Sequence, residues 1–367
     1  MTDRRRMLVL CPFPQGVAAG QRLKYEQYLD DWRSAGWEVV VSPFLDLQTW
    51  QILYEKGHIL AKVTGVARGH ARRLRDLARI RSFDLVYVFM WVTPFGTTAL
   101  ERAVRRLAPK LVYDAEDNIL LPVHPAGDDP PNPITRFLKR PAKPRYLIRH
   151  ADHVIVASPL LEARYRALNA HHACSCIPPS IDAAKFVPSE RARRSVPVIG
   201  WTGTFSSRPY LDLLRDVFTR LAQRRRFRLR VIGNFDYALP GIDLEVVRWT
   251  AAREVEDLQA IDIGIYPLPD NEWSAGKANL KPIQYMGVGL PTVASAAGAT
   301  ARVVRDGITG LLVASDDEWV SALERLIDDV PLRARLGAQA RADVVAHYST
   351  AAIAARYRAI LASVAAG

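Results

Sequence analysis

With 367 residues, 49% of them hydrophobic and 24% charged, the chain is too long for one ordinary domain and too apolar to stay disordered, so two compact domains are expected. Its longest apolar run, Leu85 to Val92, is far shorter than the roughly 20 residues of a membrane-spanning helix, and the run Met7 to Cys11 stops at Pro12, too early for a signal-peptide core. Three cysteines, Cys11, Cys174 and Cys176, make no disulfide framework, so a cytoplasmic setting is expected, while the net charge of +12 raises the question of an anionic partner.

Short apolar runs alternate with amphipathic stretches, the pattern of parallel sheets flanked by helices. Strands are predicted at Met7 to Cys11, Glu38 to Ser42, Leu85 to Met90, Leu111 to Asp114 and His153 to Ala157, with a helix over Gln21 to Ala35 between the first two. From Glu55 to Lys110 there are 12 Lys/Arg against 4 Asp/Glu, and Arg68, Arg72, Arg73, Arg75, Arg79 and Arg81 fall along one helical region. That region is either a face for anionic lipid or nucleic acid or simply a solvated helix surface. It lacks the interleaved aromatics of single-strand binders, so no nucleic-acid partner is expected. His171, His172, Cys174 and Cys176 look like half a metal site, but no second group follows at matching spacing, and no metal is expected there. Pro178-Pro179-Ser180 and Val187 to Arg194 have linker composition, which sets an amino-terminal domain at 1–188 and a second at 189–349. Strands then resume at Val198 to Trp201, Arg228 to Ile232, Ile261 to Tyr266 and Pro291 to Ser295. The fold class is α/β, two doubly wound Rossmann-like domains, and their ligands are expected at the carboxyl ends of the strands.

Four loops carry candidate chemistry. Gly16 and Gly20, with Gln21 and Arg22, follow the first strand and open the first helix, where backbone N–H groups are exposed to a ligand. Asp114, Glu116, Asp117 and Asn118 follow another strand, and such a carboxylate cluster serves either a reaction centre or helix capping. Gly203 and Thr204 lie in a Gly/Ser/Thr loop that can cradle phosphate, with Arg208 either a phosphate ligand or an exposed side chain at a helix start. Asn279 is a predicted N-cap and Pro282 fits only a first turn, so a helix begins near Leu280 and offers its dipole to phosphate beside Lys277 and Lys281. Leu280, Ile283 and Met286 form its apolar face, while Lys281 and Gln284 share another.

The segment from Asn271 to Ser295 resembles the donor-binding signature of family 4 retaining glycosyltransferases (glycosyl transferases group 1). The likeness continues through Gly298, Val303 to Val313, Leu336 to Arg341 and His347-Tyr348-Ser349. It implies a GT-B fold, two Rossmann-like domains facing across a cleft, with the last helix (350–367) returning to the first domain. It also implies a nucleoside diphosphate-sugar donor on Gly203, Thr204, Arg208, Lys277, Asn279, Leu280, Lys281 and Gln284. The acceptor, a glycan, glycolipid or small molecule, is expected at Gly16, Gly20, Gln21 and Arg22, with Glu116 and Asp117 at the reaction centre. Arg248-Trp249-Thr250 resembles the loop that reads the base. The family's two acidic positions fall on Gly276 and Gln284, and a Gln amide can still hydrogen-bond ribose hydroxyls.

The expected reaction is therefore glycosyl transfer with retention, in polysaccharide biosynthesis or a related pathway, with neither metal nor cofactor. The protein is expected in the cytoplasm, peripheral at the inner membrane face if the basic stretch meets anionic lipid. A noncatalytic sugar-nucleotide binder with a degenerate donor site is the alternative that Gln284 and Gly276 raise.

Overall fold

The computed structural model describes residues 4–53, 55, 57–116, 118–121, 142–189 and 195–367. The chain passes between two compact units at Pro178–Pro179 and returns at Ala352–Ile353. Among the described residues no helix is long and apolar enough to cross a membrane.

The first unit holds a parallel sheet of β1 (Arg5–Cys11), β2 (Trp37–Pro43), β3 (Leu85–Phe89), β4 (Leu111–Ala115), β5 (His153–Val156) and β6 (Cys174–Cys176), in the order β2-β1-β3-β4-β5-β6. Met7 to Cys11 form an unbroken apolar run because both faces of β1 are covered: Leu8 and Leu10 enter one core with Val86 and Tyr113, while Met7, Val9 and Cys11 enter the other. The second core is completed by the helix Thr350–Ala366, whose Ile353, Tyr357, Leu361 and Val364 recur every three or four residues.

The predicted helix over Gln21 to Ala35 is interrupted, running as Ala19–Arg22, a 3-10 turn Glu26–Tyr28 and Leu29–Ser34. The helical spacing of buried side chains survives in Gln21, Lys24, Tyr25, Tyr28, Leu29 and Trp32. What tightens the middle turn is tertiary: Lys24 Nζ reaches Asp114 Oδ1 at 2.9 Å, and Glu26 reaches back to the Gly16 N–H at 2.8 Å.

The second unit holds β7 (Val198–Thr202), β8 (Arg228–Ile232), β9 (Leu244–Val247), β10 (Ile263–Tyr266), β11 (Thr292–Ser295) and β12 (Gly310–Val313), all parallel, in the order β12-β11-β10-β7-β8-β9. β6 and β9 escape the sequence reading for one reason. Each is the last strand at a sheet edge, partly exposed, and neither needs the apolar run of a central strand. Residues 179–188 belong to this unit: Ile181 pairs with Ser349, and Arg341 donates to the carbonyls of Ala183 at 2.6 Å, Gly287 at 2.7 Å and Phe186.

In each sheet the strand order reverses once, at β1/β3 and at β7/β10. Loops leaving the carboxyl ends of strands on either side of such a reversal diverge and leave a crevice. The loops holding Gly16 and Gly203 start at those two points.

Candidate functional site

In the second unit β7 ends in Trp201-Thr202 and turns at Gly203, whose N–H donates to Ile232 O at 3.0 Å. A Cβ at this position would stand 2.3 Å from the Trp201 ring and 2.6 Å from Ser207 Oγ, so only glycine fits. Thr204 and Ser207 form a reciprocal capping box that fixes the next turn, Phe205–Ser207, and Arg208 opens the following short helix. The turn presents backbone and hydroxyl donors beyond the end of β7. Arg208 is 44% exposed and leans on Asp212 at 3.5 Å.

Lys281 approaches the same point from the other side of the strand reversal. Its Nζ lies 5.3 Å from the ring centre of Trp201, at the end of β7, and 5.7 Å from that of Tyr266, at the end of β10. Two aromatic faces hold the ammonium group there, since ring quadrupoles attract a cation. The helix behind it, Leu280–Gly287, is fixed by Tyr285: its hydroxyl accepts from the Thr202 N–H at 2.9 Å, and Gly264 leaves room for its ring, which a Cβ there would meet at 2.6 Å. Lys281, Gly203 and Thr204 thus gather around the β7/β10 reversal, and Leu280 and Lys281 lie in a first turn, where N–H groups have no partner within the helix.

Asn279 does not cap this helix in the predicted way. Its backbone is left-handed (φ 57°), a conformation asparagine tolerates better than most residues, and its side chain makes no capping bond. Instead Oδ1 is buried without a hydrogen-bond partner at the helix start. Lys277 lies with its Nζ 5.0 Å from the centre of the Trp273 ring.

Gln284 also departs from expectation. It is only 4% exposed, and its Nε2 donates to Glu254 Oε1 at 3.1 Å. Trp249 Nε1 donates to the same oxygen at 3.2 Å, so Trp249, the helix residue Gln284 and a buried carboxylate that the sequence did not single out form one cluster. Gly276 ends the helix Glu272–Ala275, and Gly298 (φ 56°) packs on that helix so closely that a Cβ there would lie 2.7 Å from Ala275 Cα.

In the first unit Gly16 is left-handed (φ 80°) and sits in the loop after β1. Gln21, a predicted acceptor contact, turns its side chain inward. The side chain is 1% exposed, donating to Phe13 O at 2.8 Å and to Glu26 Oε1 at 2.5 Å while accepting from the Phe13 N–H at 3.3 Å, so it braces the loop. Burial pushes the Glu26 carboxyl above the usual range, against the lowering effects of Gln21, the Gly16 N–H and nearby Arg22. Gly20 and Glu116 are brought together: a Cβ on Gly20 would stand 2.6 Å from Glu116 Oε2. Asp117 lies outside the described residues. Asp114 is neither cap nor ligand but fully buried, paired with Lys24 and accepting from Tyr87 Oη at 2.5 Å and Tyr357 Oη at 3.5 Å. Lys24 was missed, although a lysine between Leu23 and Tyr25 in a buried helical stripe was the available signal.

The basic region is largely committed as well. Arg73 is 1% exposed and donates to the carbonyls of Cys11, Ser42 and Val92, Arg72 donates to Pro43 O and Phe44 O, Arg68 pairs with Asp46 and Arg79 with Asp76. Cys174 is buried and Cys176 half-buried on the edge strand β6, while His171 and His172 are exposed.

A sequence profile for "Glycosyl transferases group 1" matches residues 196–329. Curated relatives include D-inositol 3-phosphate glycosyltransferases of Stackebrandtia nassauensis (25% identity; 70% of this chain, 63% of the relative), Corynebacterium aurimucosum (29%; 65% and 62%) and Actinosynnema mirum (26%; 82% and 76%). The match therefore spans less than two thirds of the first two. Similar solved structures include sucrose-phosphate synthase from Thermosynechococcus elongatus (TM-score 0.73, 18% identity, 98% of this chain and 100% of that one) and Anabaena HepE, crystallised with UDP-glucose (0.67, 17%, 98% and 99%).

Proposed function

The chain belongs to the group 1 glycosyltransferases and has their GT-B fold, and from that premise we propose that it transfers a sugar from a nucleoside diphosphate-sugar to a hydroxyl acceptor with retention of configuration. The observation that carries this reading is the convergence at the β7/β10 reversal: the Gly203–Ser207 turn and the Lys281 ammonium held on Trp201 and Tyr266, at the head of the helix Leu280–Gly287. Together they offer fixed N–H donors and positive charge to a diphosphate. Arg208, Lys277 and the buried Asn279 Oδ1 extend this donor site. UDP is the first nucleotide to test, because HepE was crystallised with UDP-glucose.

The acceptor is assigned to the first unit, near Gly16, Gly20 and Arg22, with Glu116 against Gly20. It is a saccharide, a lipid-linked saccharide or a small polyol phosphate, the last suggested by the D-inositol 3-phosphate relatives. In the proposed step the acceptor oxygen bonds to the anomeric carbon on the face from which the diphosphate departs. The acceptor proton passes to a leaving phosphate oxygen, so no protein nucleophile is needed and the protein stabilises the growing phosphate charge. No divalent cation is assigned a role. Nothing favours a noncatalytic binder.

Calorimetry with UDP on the wild type, Arg208→Ala and Lys281→Ala tests the donor site: each change should weaken binding about tenfold or more, as expected when a charge-assisted contact worth about 1.5–3 kcal/mol is lost. Unchanged affinity in both variants would remove the assignment. Turnover of UDP-glucose with and without excess chelator tests the cation, and metal-reversible loss of both turnover and UDP binding would overturn a metal-independent step.

A further inference from the structure

The proposed donor and acceptor positions lie in loops at the carboxyl ends of the strands, but the first unit has a second concavity at the opposite end of its sheet. A pocket of about 540 Å³ lies beside the amino ends of β1 and β2, where Arg5 and Trp37 are register partners. Its walls come from the start of β1, from the helix Leu29–Ser34 with the turn after it, and from the helix Thr350–Ala366. All the lining residues belong to the first unit, so the pocket is complete within it. The volume is that of a small-molecule site.

The lining is rich in donors and short of acceptors. Arg4, Arg5 and Arg358 bring three guanidinium groups, and among the described residues the carboxylate that answers them is Asp31, which pairs with Arg358. Arg6, the next residue along, is spent on Glu38 and Ser82, whereas Arg4 and Arg5 have no ion-pair partner among the described residues. Trp32, in the same wall, is 0% exposed, and its indole N–H is buried without an acceptor. The ring cannot swing out to water, because it packs on Tyr25, Tyr87 and Tyr357 with centroids 6.4, 5.3 and 5.7 Å away. Three guanidinium groups against one carboxylate leave two positive charges over. A phosphomonoester, with a charge of about −1.5 to −2 at pH 7, neutralises them, and its oxygens only accept hydrogen bonds, which suits guanidinium forks. A single carboxylate would leave one charge unmet. Trp37, Leu361 and Ala362 add an apolar side that the organic part of an ester would cover.

We propose that this pocket binds a small organic phosphomonoester, with the phosphate among Arg4, Arg5 and Arg358 and the organic part against Trp37 and Leu361. Bound there, it ties the start of β1 to the helix Thr350–Ala366, on which the chain returns to this unit. None of these residues belongs to the proposed donor or acceptor positions, so the inference stands apart from the transferase reading.

The test is calorimetry of the full chain with glucose 6-phosphate, inorganic phosphate and glucose. It is repeated in an Arg22→Ala/Lys281→Ala background, which removes charge from the proposed acceptor and donor positions. Glucose 6-phosphate should bind saturably to both proteins, about fivefold or more tighter than inorganic phosphate, and glucose should not bind. Arg4→Ala/Arg5→Ala should weaken the ester about tenfold or more, the loss expected for charge-assisted contacts. Ala362→Phe keeps every charge but fills the apolar side, and should weaken it about as much. These exposed positions should tolerate change, which circular dichroism checks. At about ten times its Kd the ester should also raise hydrogen-exchange protection of the helix Thr350–Ala366 about tenfold. Absence of saturable binding overturns the proposal. So does binding that disappears in the Arg22→Ala/Lys281→Ala background, which would place the phosphate at the donor or acceptor loops. Binding that Ala362→Phe leaves intact, or equal affinity for inorganic phosphate, also overturns it, because either reports attraction of any anion to a basic surface.

Discussion

The cluster of Gln284, Glu254 and Trp249 turns a departure from the family pattern into a measurable prediction. Replacing Gln284 by Glu restores the carboxylate that the resemblance leads one to expect at this position. In this chain it should be harmful. The amide nitrogen now donates to Glu254 Oε1 at 3.1 Å, and a second carboxylate would place like charges at that distance with both residues only 4% exposed. At an effective dielectric near 20 the repulsion is about 5 kcal/mol. The site escapes part of it by taking up a proton, and holding an ordinary glutamic acid protonated at pH 7 costs about 3.7 kcal/mol, which caps the loss. Because the folded variant then binds one more proton than its unfolded chain, stability recovers as pH falls, leaving a cost of only about 1 kcal/mol at pH 5. Hydrogen exchange of the helix Leu280–Gly287, read as protection relative to wild type at the same pH, should drop by about 500-fold at pH 7 and about fivefold at pH 5. The swap Gln284→Glu/Glu254→Gln exchanges donor and acceptor and should recover most of the protection. Wild-type protection in the single variant at pH 7, or a loss equal at both pH values and not rescued by the swap, would refute the argument.

Gly203→Ala should weaken UDP binding at least tenfold, because its Cβ must displace either Trp201, which supports Lys281, or Ser207, which closes the turn; calorimetry against the folded variant measures it. Asp114→Ala should cost about 3–5 kcal/mol by leaving Lys24 charged and unpaired in the core, whereas Lys24→Met/Asp114→Leu should recover much of that, as read by exchange protection of β4 and of the helix Thr350–Ala366. Burial and the charge of Arg166 hold His153 down at about 4, so the folded state keeps it neutral where the unfolded chain would protonate it. Stability should therefore be fully present above about pH 6.5 and decline as pH falls towards 4, and His153→Gln should flatten that part of a pH series of thermal melts.

What the sequence determined is the set of features written in local order. Five-residue apolar runs such as Met7 to Cys11 specify central parallel strands, because each face of such a strand meets its own core. Glycines and capping residues at 203–207, and a proline confined to a first turn at 282, mark the loops that follow β7 and β10. Those loops of the second unit were legible for that reason. Tertiary structure alone decided which polar side chains remain available. Gln21, Gln284 and Arg73 look like ligands when read one residue at a time, yet each is buried and spends its hydrogen bonds within the chain, since a desolvated polar group is stable only when paired. Lys24 and Glu254, unremarked in the sequence, become central for the same reason: their partners, Asp114 and Gln284, lie 90 and 30 residues away, and nothing in local spacing encodes a contact that only the closing of the sheets creates.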